Sequence, residues 1–196
     1  MERLLLARHG ESQLSAQGLV NGDPDVPCPL TAAGREQARE LGEALRDERI
    51  DLCVVTEFER VRETAELALT GRDVPMIVVP QLNDPRYGEF EGGRLDTYRV
   101  WVWERGPLEA PPGGEHRGEL AARYAHGLRA LLERTEESVL VVGHSLPIRY
   151  ALDAAKGLSP RARVDLVEYA TAYPLTVAQV RRAAALLGTW SQAPVF

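Results

Sequence analysis

Leu4-Leu5-Leu6-Ala7-Arg8-His9-Gly10-Glu11 runs four apolar residues straight into an arginine, a histidine and a glycine turn. A guanidinium grips phosphate oxygens in a planar fork, and a neutral imidazole beside it can attack phosphorus. A second histidine follows a second apolar run, in Val139-Leu140-Val141-Val142-Gly143-His144-Ser145. Short Arg-His-Gly strings occur by chance in many chains, so the shared setting carries the reading. Two strand ends that each present a histidine read as one site.

Apolar periodicity gives the elements that must hold these side chains. Residues 1–7 read as a buried strand. Thr31 reads as an N-cap, and Gly34, Ala38, Leu41 and Leu45 recur at helical spacing behind it. Residues 51–55 form a short apolar strand, followed by a helix from about 57 to 69 whose apolar face includes Phe58, Val61, Ala65 and Ala68. Residues 76–79 make another short strand. The stretch 82–114 is rich in Gly, Pro and aromatics and predicts a folded excursion over the sheet, with Tyr98, Trp101 and Trp103 as its own packing. A long helix follows, with Leu120, Tyr124, Leu128 and Leu131 on one face. Residues 138–142 are the fourth strand, and Pro147 fits the first turn of the next helix. Thr176-Val177-Ala178-Gln179 has capping-box form and opens a last helix to about Leu187. Strands alternating with helices predict an α/β fold with a largely parallel sheet covered on both faces. Ligands in such folds gather beyond the carboxyl ends of strands. His9, the turn at 56–62 and His144 each lie just after a strand.

The 196 residues predict one domain, and 44% hydrophobic with 27% charged residues is ordinary soluble composition. No apolar run approaches the ~20 residues needed to span a bilayer. The first strand begins too early to leave room for a signal peptide. Cys28 and Cys53 lack the close pairing of a zinc or redox motif and read as small residues of a reduced interior. Together these point to the cytoplasm. A net charge of −6 disfavours nucleic acid, and means that a local arginine cluster must hold any anionic ligand.

These residues together resemble the histidine phosphatase superfamily, in the branch that also holds cofactor-dependent phosphoglycerate mutases. Arg8-His9-Gly10-Glu11 matches its signature at the first strand. Gly22 through Pro29-Leu30-Thr31, with Gly34 and Gln37-Ala38, matches the entry to its first long helix. The segment from Thr56 through Arg60 to Thr64-Ala65, then Leu82-Asn83-Asp84-Pro85-Arg86-Tyr87-Gly88 with Glu91-Gly92, and finally Gly143-His144, follow in the family's order. The resemblance implies a three-layer α/β/α sandwich and a metal-independent phosphomonoesterase without a cofactor. Its implied partner is a small phosphorylated substrate, with neither nucleic acid nor membrane. His9 would form a phosphohistidine, while Arg8, Arg60 and His144 hold the phosphoryl oxygens. A carboxylic acid would protonate the leaving oxygen and then activate water. Asp84 stands where the family carries Glu. It keeps register with Leu82 and Gly88, and Glu89 and Glu91 are the neighbouring alternatives. Arg86, Tyr87 and Ser145 are candidate substrate contacts.

Other residues compete for these roles. Register against Thr64-Ala65 selects Arg60 over Arg62. His116 and His126 carry no motif and read as surface or packing residues, with the rim of the pocket a further place for His116. Asp23 and Asp25 read as turn chemistry rather than a metal site. Val141 through Pro147 nearly spells the nucleophile elbow of an α/β-hydrolase with Ser145 as nucleophile. Pro147 replaces its last glycine, however, and no histidine follows Ser145. A phosphoglycerate mutase shares the His9 chemistry, and Tyr87 matches it, but Pro85 follows the acid and no paired arginines occur between Gly92 and Gly113. A non-catalytic phosphate-binding module is the remaining alternative.

Overall fold

Four apolar residues in a row leave β1 (Arg3–Arg8) no polar face, so it must be covered on both sides. The computed structural model describes residues 1–196 and covers both. Side chains alternate along a strand. Leu4 and Leu6 therefore join one core cluster with Val139 and Val141, while Leu5 and Ala7 join a second with Leu140 and Val142. Each buried leucine contributes about 2 kcal/mol.

The first half of the chain places α1 (Gln13–Ala16), α2 (Ala32–Ala44), β2 (Leu52–Val55), α3 (Glu59–Ala68) and β3 (Met76–Val78). Two short 3-10 turns, Pro80–Leu82 and Gly88–Phe90, then frame the excursion, which also carries α4 (Leu95–Trp103). The second half adds α5 (Arg117–Leu132), β4 (Ser138–Gly143), α6 (Ser145–Ala155), β5 (Ala172–Thr176) and α7 (Val177–Trp190). Helices α5, α6 and α7 supply the first core cluster, and α2 and α3 the second, which makes a three-layer α/β/α sandwich. No helix is long and apolar enough to cross a membrane.

The sheet order is β3-β2-β4-β1-β5, parallel except for β5, which runs against β1. The expected strands and long helices are present; α1, α4, β5 and the two 3-10 turns are additional, and β5 and α4 run against their composition. β5 carries Pro174, which cannot donate to a ladder, and it is tolerated because β5 is an edge strand. α4 is rich in Val, Trp and Tyr, side chains that favour strands over helices. Tertiary packing decides it: Tyr98 and Val102 share one helix face and close on Val20 and Tyr87.

One close approach fixes the mouth of the site. A Cβ on Gly10 would stand 2.3 Å from the Gly34 carbonyl oxygen, and one on Gly34 2.0 Å from that of Glu11. Glycine at both positions lets the turn after β1 lie directly on the start of α2.

Candidate active site

Parallel register brings the two histidines together. Arg8 pairs with Gly143, so His9 and His144 step off neighbouring strands side by side, with ring centroids 5.5 Å apart. Thr56 leaves β2 in the same direction, and its Oγ1 lies 2.9 Å from His144 Nε2. Arg60 comes from the first turn of α3 and is 3% exposed, whereas Arg62 is on the solvent side. The amino-terminal ends of α3 and α6 thus face the carboxyl ends of β2 and β4, where their backbone dipoles favour an anion.

The hydrogen bonds define the His9 tautomer. Nδ1 lies 2.6 Å from the Gly10 carbonyl oxygen, an acceptor only, so Nδ1 carries the proton and donates it there. Arg60 Nε donates to His9 Nε2 at 3.2 Å, so Nε2 carries the lone pair. The Gly10 turn is itself held by Thr64, whose Oγ1 accepts from Gly10 N at 3.0 Å. Burial, reinforced by the charges of Arg60 and Arg8, holds the His9 pKa well below the ordinary histidine value. The same burial, with Arg60 next in weight, depresses His144. Both rings are thereby biased to the neutral form, which leaves the His9 Nε2 lone pair without a proton.

The positive cradle is assembled from distant parts of the chain. Arg60 NH2 donates to the Asn21 carbonyl at 3.0 Å, and Arg60 NH1 to the Asn21 side-chain oxygen. Arg60 NH2 also lies 3.3 Å from His144 Nδ1. Arg8 NH1 donates to the Val167 carbonyl at 2.9 Å, and its guanidinium stacks 3.8 Å from the Tyr169 ring centre. Arg8 Nε is buried without a hydrogen-bond partner. Ser145 lines the cleft, and its Oγ accepts from Val167 N at 3.0 Å, tying the 167–169 segment over Arg8.

Asp84 faces this cradle. Its Oδ2 lies 3.4 Å from Arg60 NH2, 3.7 Å from His144 Nδ1 and 3.5 Å from Tyr87 Oη. Burial pushes its pKa up to about 6, outweighing the opposite pull of Arg60 and Arg8. The alternative carboxylates point elsewhere. Glu91 accepts from Gly22 N at 2.9 and 3.0 Å, and Glu89 is exposed.

Arg8, His9, Arg60, Asp84, Tyr87 and Ser145 line one cleft, and His144, fully buried, does not line it but lies against Arg60 and Asp84. Arg86 does not join them. Its backbone N donates to Glu115 at 3.0 Å, and its largely exposed guanidinium lies 3.8 Å from the same carboxylate, on the far side of the loop. His116 is not at the rim either: its Nδ1 accepts from Glu119 N at 3.1 Å and caps α5. Tyr98 and Trp103, expected only to pack within the excursion, also line the cleft. Asn21, Tyr169 and Thr56 hold the site without having been assigned a role from sequence. Thr56 had a signal, its place directly after a strand; Asn21 lay in a turn motif and Tyr169 in no motif at all. Asp23 serves a turn, with Oδ1 accepting from Asp25 N at 2.9 Å, and Cys28 and Cys53 are free and buried.

The profile of the histidine phosphatase superfamily (branch 1) matches residues 4–187. The adenosylcobalamin/alpha-ribazole phosphatase of Salmonella typhimurium is 44% identical over 153 residues, 72% of this chain and 73% of that protein. A 2,3-bisphosphoglycerate-dependent phosphoglycerate mutase of Methylobacterium sp. is 35% identical over 193 residues, covering 89% of this chain and 90% of its own. The crystal structure of the alpha-ribazole phosphatase from Shigella flexneri superposes with a TM-score of 0.75 at 30% identity, over 88% of this chain and 89% of that one.

Proposed function

The chain belongs to branch 1 of the histidine phosphatase superfamily, and from that premise we propose that it hydrolyses small phosphomonoesters through a phosphohistidine on His9, without a metal. The observation that carries this reading is the His9 ring: held towards the neutral form, with Nδ1–H committed to Gly10 and the Nε2 lone pair facing Arg60. Substrate oxygens take up the donors of Arg8 and Arg60 and spread the developing charge across them. His9 Nε2 attacks phosphorus in line as the bond to the leaving oxygen breaks, and protonated Asp84 supplies that oxygen with its proton. Asp84, now a carboxylate, takes a proton from water; the water oxygen attacks phosphorus, the N–P bond breaks and neutral His9 returns. A carboxyl titrating at about 6 can serve as both acid and base near neutrality.

A second reading has its own support. The mutase-named relative matches more of the chain than the Salmonella phosphatase does. In that case the phosphohistidine returns its phosphoryl group to an acceptor rather than to water. Turnover of an aryl phosphate in excess EDTA, for wild type and His9→Ala, tests the first reading. Activity is expected to survive chelation and to vanish in the variant. Activity that persists in His9→Ala refutes the phosphohistidine route. Phosphoenzyme that is stable in water and discharged by 3-phosphoglycerate selects the mutase.

A further inference from the structure

The cleft has a second polar pole that the chemistry at His9 does not use. Arg117, the first residue of α5, is 6% exposed and lines the same cleft. Its single side-chain hydrogen bond runs from NH1 to Tyr150 Oη at 3.3 Å, and its Nε is buried with no acceptor. The nearby carboxylate in sequence, Glu115, is committed to Arg123 at 2.9 Å and faces Arg86 at 3.8 Å. Tyr98, on α4, is 5% exposed, lines the cleft as well, and its hydroxyl is likewise buried without a partner.

A buried donor without an acceptor is costly, and a buried guanidinium without a carboxylate is more so. Where such a group borders a cleft, a ligand that completes it accounts for its place there. What is missing here is an acceptor, and one that carries negative charge. Much of the remaining lining is apolar, including Leu14, Leu19, Leu95, Leu146 and Trp103, which suits a hydrocarbon or aromatic body. Arg99 also lines the cleft and adds positive potential.

We propose that Arg117 and Tyr98 form a second anion subsite, and that this chain acts on phosphomonoesters whose apolar body carries a second acidic group, a carboxylate or another phosphoryl group. This rests on the phosphoryl end being held at His9. A wide choice of small phosphates then narrows to those with acid at both ends.

Matched aryl phosphates test it. Phenyl phosphates carrying a para alkyl chain of graded length are compared with methyl, carboxylate or phosphonate at the chain end. At the best length, kcat/KM for an acidic end is expected to exceed that for methyl roughly tenfold or more, chiefly through KM. Arg117→Met is expected to bring the two to parity, and Tyr98→Phe to narrow the gap. The ratio is taken within one variant, so it does not depend on how much of the protein folds. Should Arg117→Met not fold, Tyr98→Phe carries the comparison. A wild type that shows no preference at any length, or an Arg117→Met variant that retains it, overturns the subsite. If the wild type hydrolyses none of these esters, the phosphatase reading fails separately. Calorimetry with the corresponding aryl phosphonates then decides the subsite without turnover: tighter binding of the acidic ends upholds it, and equal binding overturns it.

Discussion

Asp84→Asn is the perturbation that bears hardest on the proposed mechanism. Asparagine keeps the size and a hydrogen bond to Arg60, but it can neither protonate a leaving oxygen nor take a proton from water. Burial raises Asp84 to about 6, so at pH 7 about one carboxyl in ten is protonated, against about one in 1,600 for a carboxyl left at 3.8. The surroundings of Asp84 thus increase the supply of acid about 140-fold, within the ~10²–10⁴-fold that general acids contribute. For alkyl phosphates, whose alkoxide leaves poorly without a proton, Asp84→Asn should slow phosphorylation of His9 about 10²-fold or more. For p-nitrophenyl phosphate, which leaves as a stabilised phenolate, that step should slow by less than about tenfold. The second step still lacks its base, so phosphohistidine should accumulate and a burst should precede a slow steady state. Stopped-flow absorbance reads the burst, and intact-protein mass spectrometry after alkaline quench reads the phosphoenzyme. Equal losses in the phosphorylation step across leaving groups would remove Asp84 from protonating the leaving oxygen, and no loss in either step would hand the role to another group.

Asn21→Ala removes the side-chain acceptor that aims Arg60, and kcat should fall about tenfold with little change in KM; an unchanged kcat would mean that the Asn21 carbonyl suffices. Folding stability should fall with pH below about 6.5, because His9 and His144 bind protons far more readily unfolded than folded. Asp84 acts in the opposite sense, since its raised pKa costs stability above about 6 and relieves that cost as pH falls towards 3.8. Asp84→Asn should therefore be more stable than wild type at pH 8, by about 1–3 kcal/mol, and lose stability more steeply between pH 6 and 4. Urea midpoints at each pH check both signs.

The residues legible in the sequence are those whose position relative to a strand is legible. Arg8, His9, Thr56 and His144 each sit at a strand's carboxyl end, and parallel register then gathers them without further instruction. Residues delivered by long-range packing were not legible in that way. Tyr169 reaches Arg8 because an edge strand containing Pro174 returns the chain beside β1, and nothing local announces that strand. Asn21 reaches Arg60 because the loop before α2 folds back over α3, where Glu59 and Glu63 accept from Cys28 N at 3.0 Å and Leu30 N at 2.8 Å. Arg86 shows the converse: adjacency to the acid in sequence does not give it the same direction, since Glu115 holds it on the other side of the loop. The excursion was legible as an excursion, but α4 within it was not, because its helix rests on tertiary contacts that overrule its composition.

Burial and two arginines together set the protonation of the whole site. Burial disfavours charge, so it lowers the pKa of an imidazole and raises that of a carboxyl. The arginines Arg8 and Arg60 lower both. For His9 and His144 the two effects agree, and the rings are neutral. For Asp84 they oppose each other and burial prevails, which leaves the carboxyl near 6 rather than far above it. A dry pocket without arginines would drive the acid too high to act as a base, and an open pocket with them would leave it too low to act as an acid. The proposed nucleophile and the proposed acid–base residue are thus tuned together by one enclosure, and Asp in place of a longer Glu is compatible with that proposal because the loop carries Oδ2 to within 3.4 Å of Arg60. Any substitution that admits water at Tyr87 or Tyr169 should therefore shift Asp84 downward and the histidines upward at once.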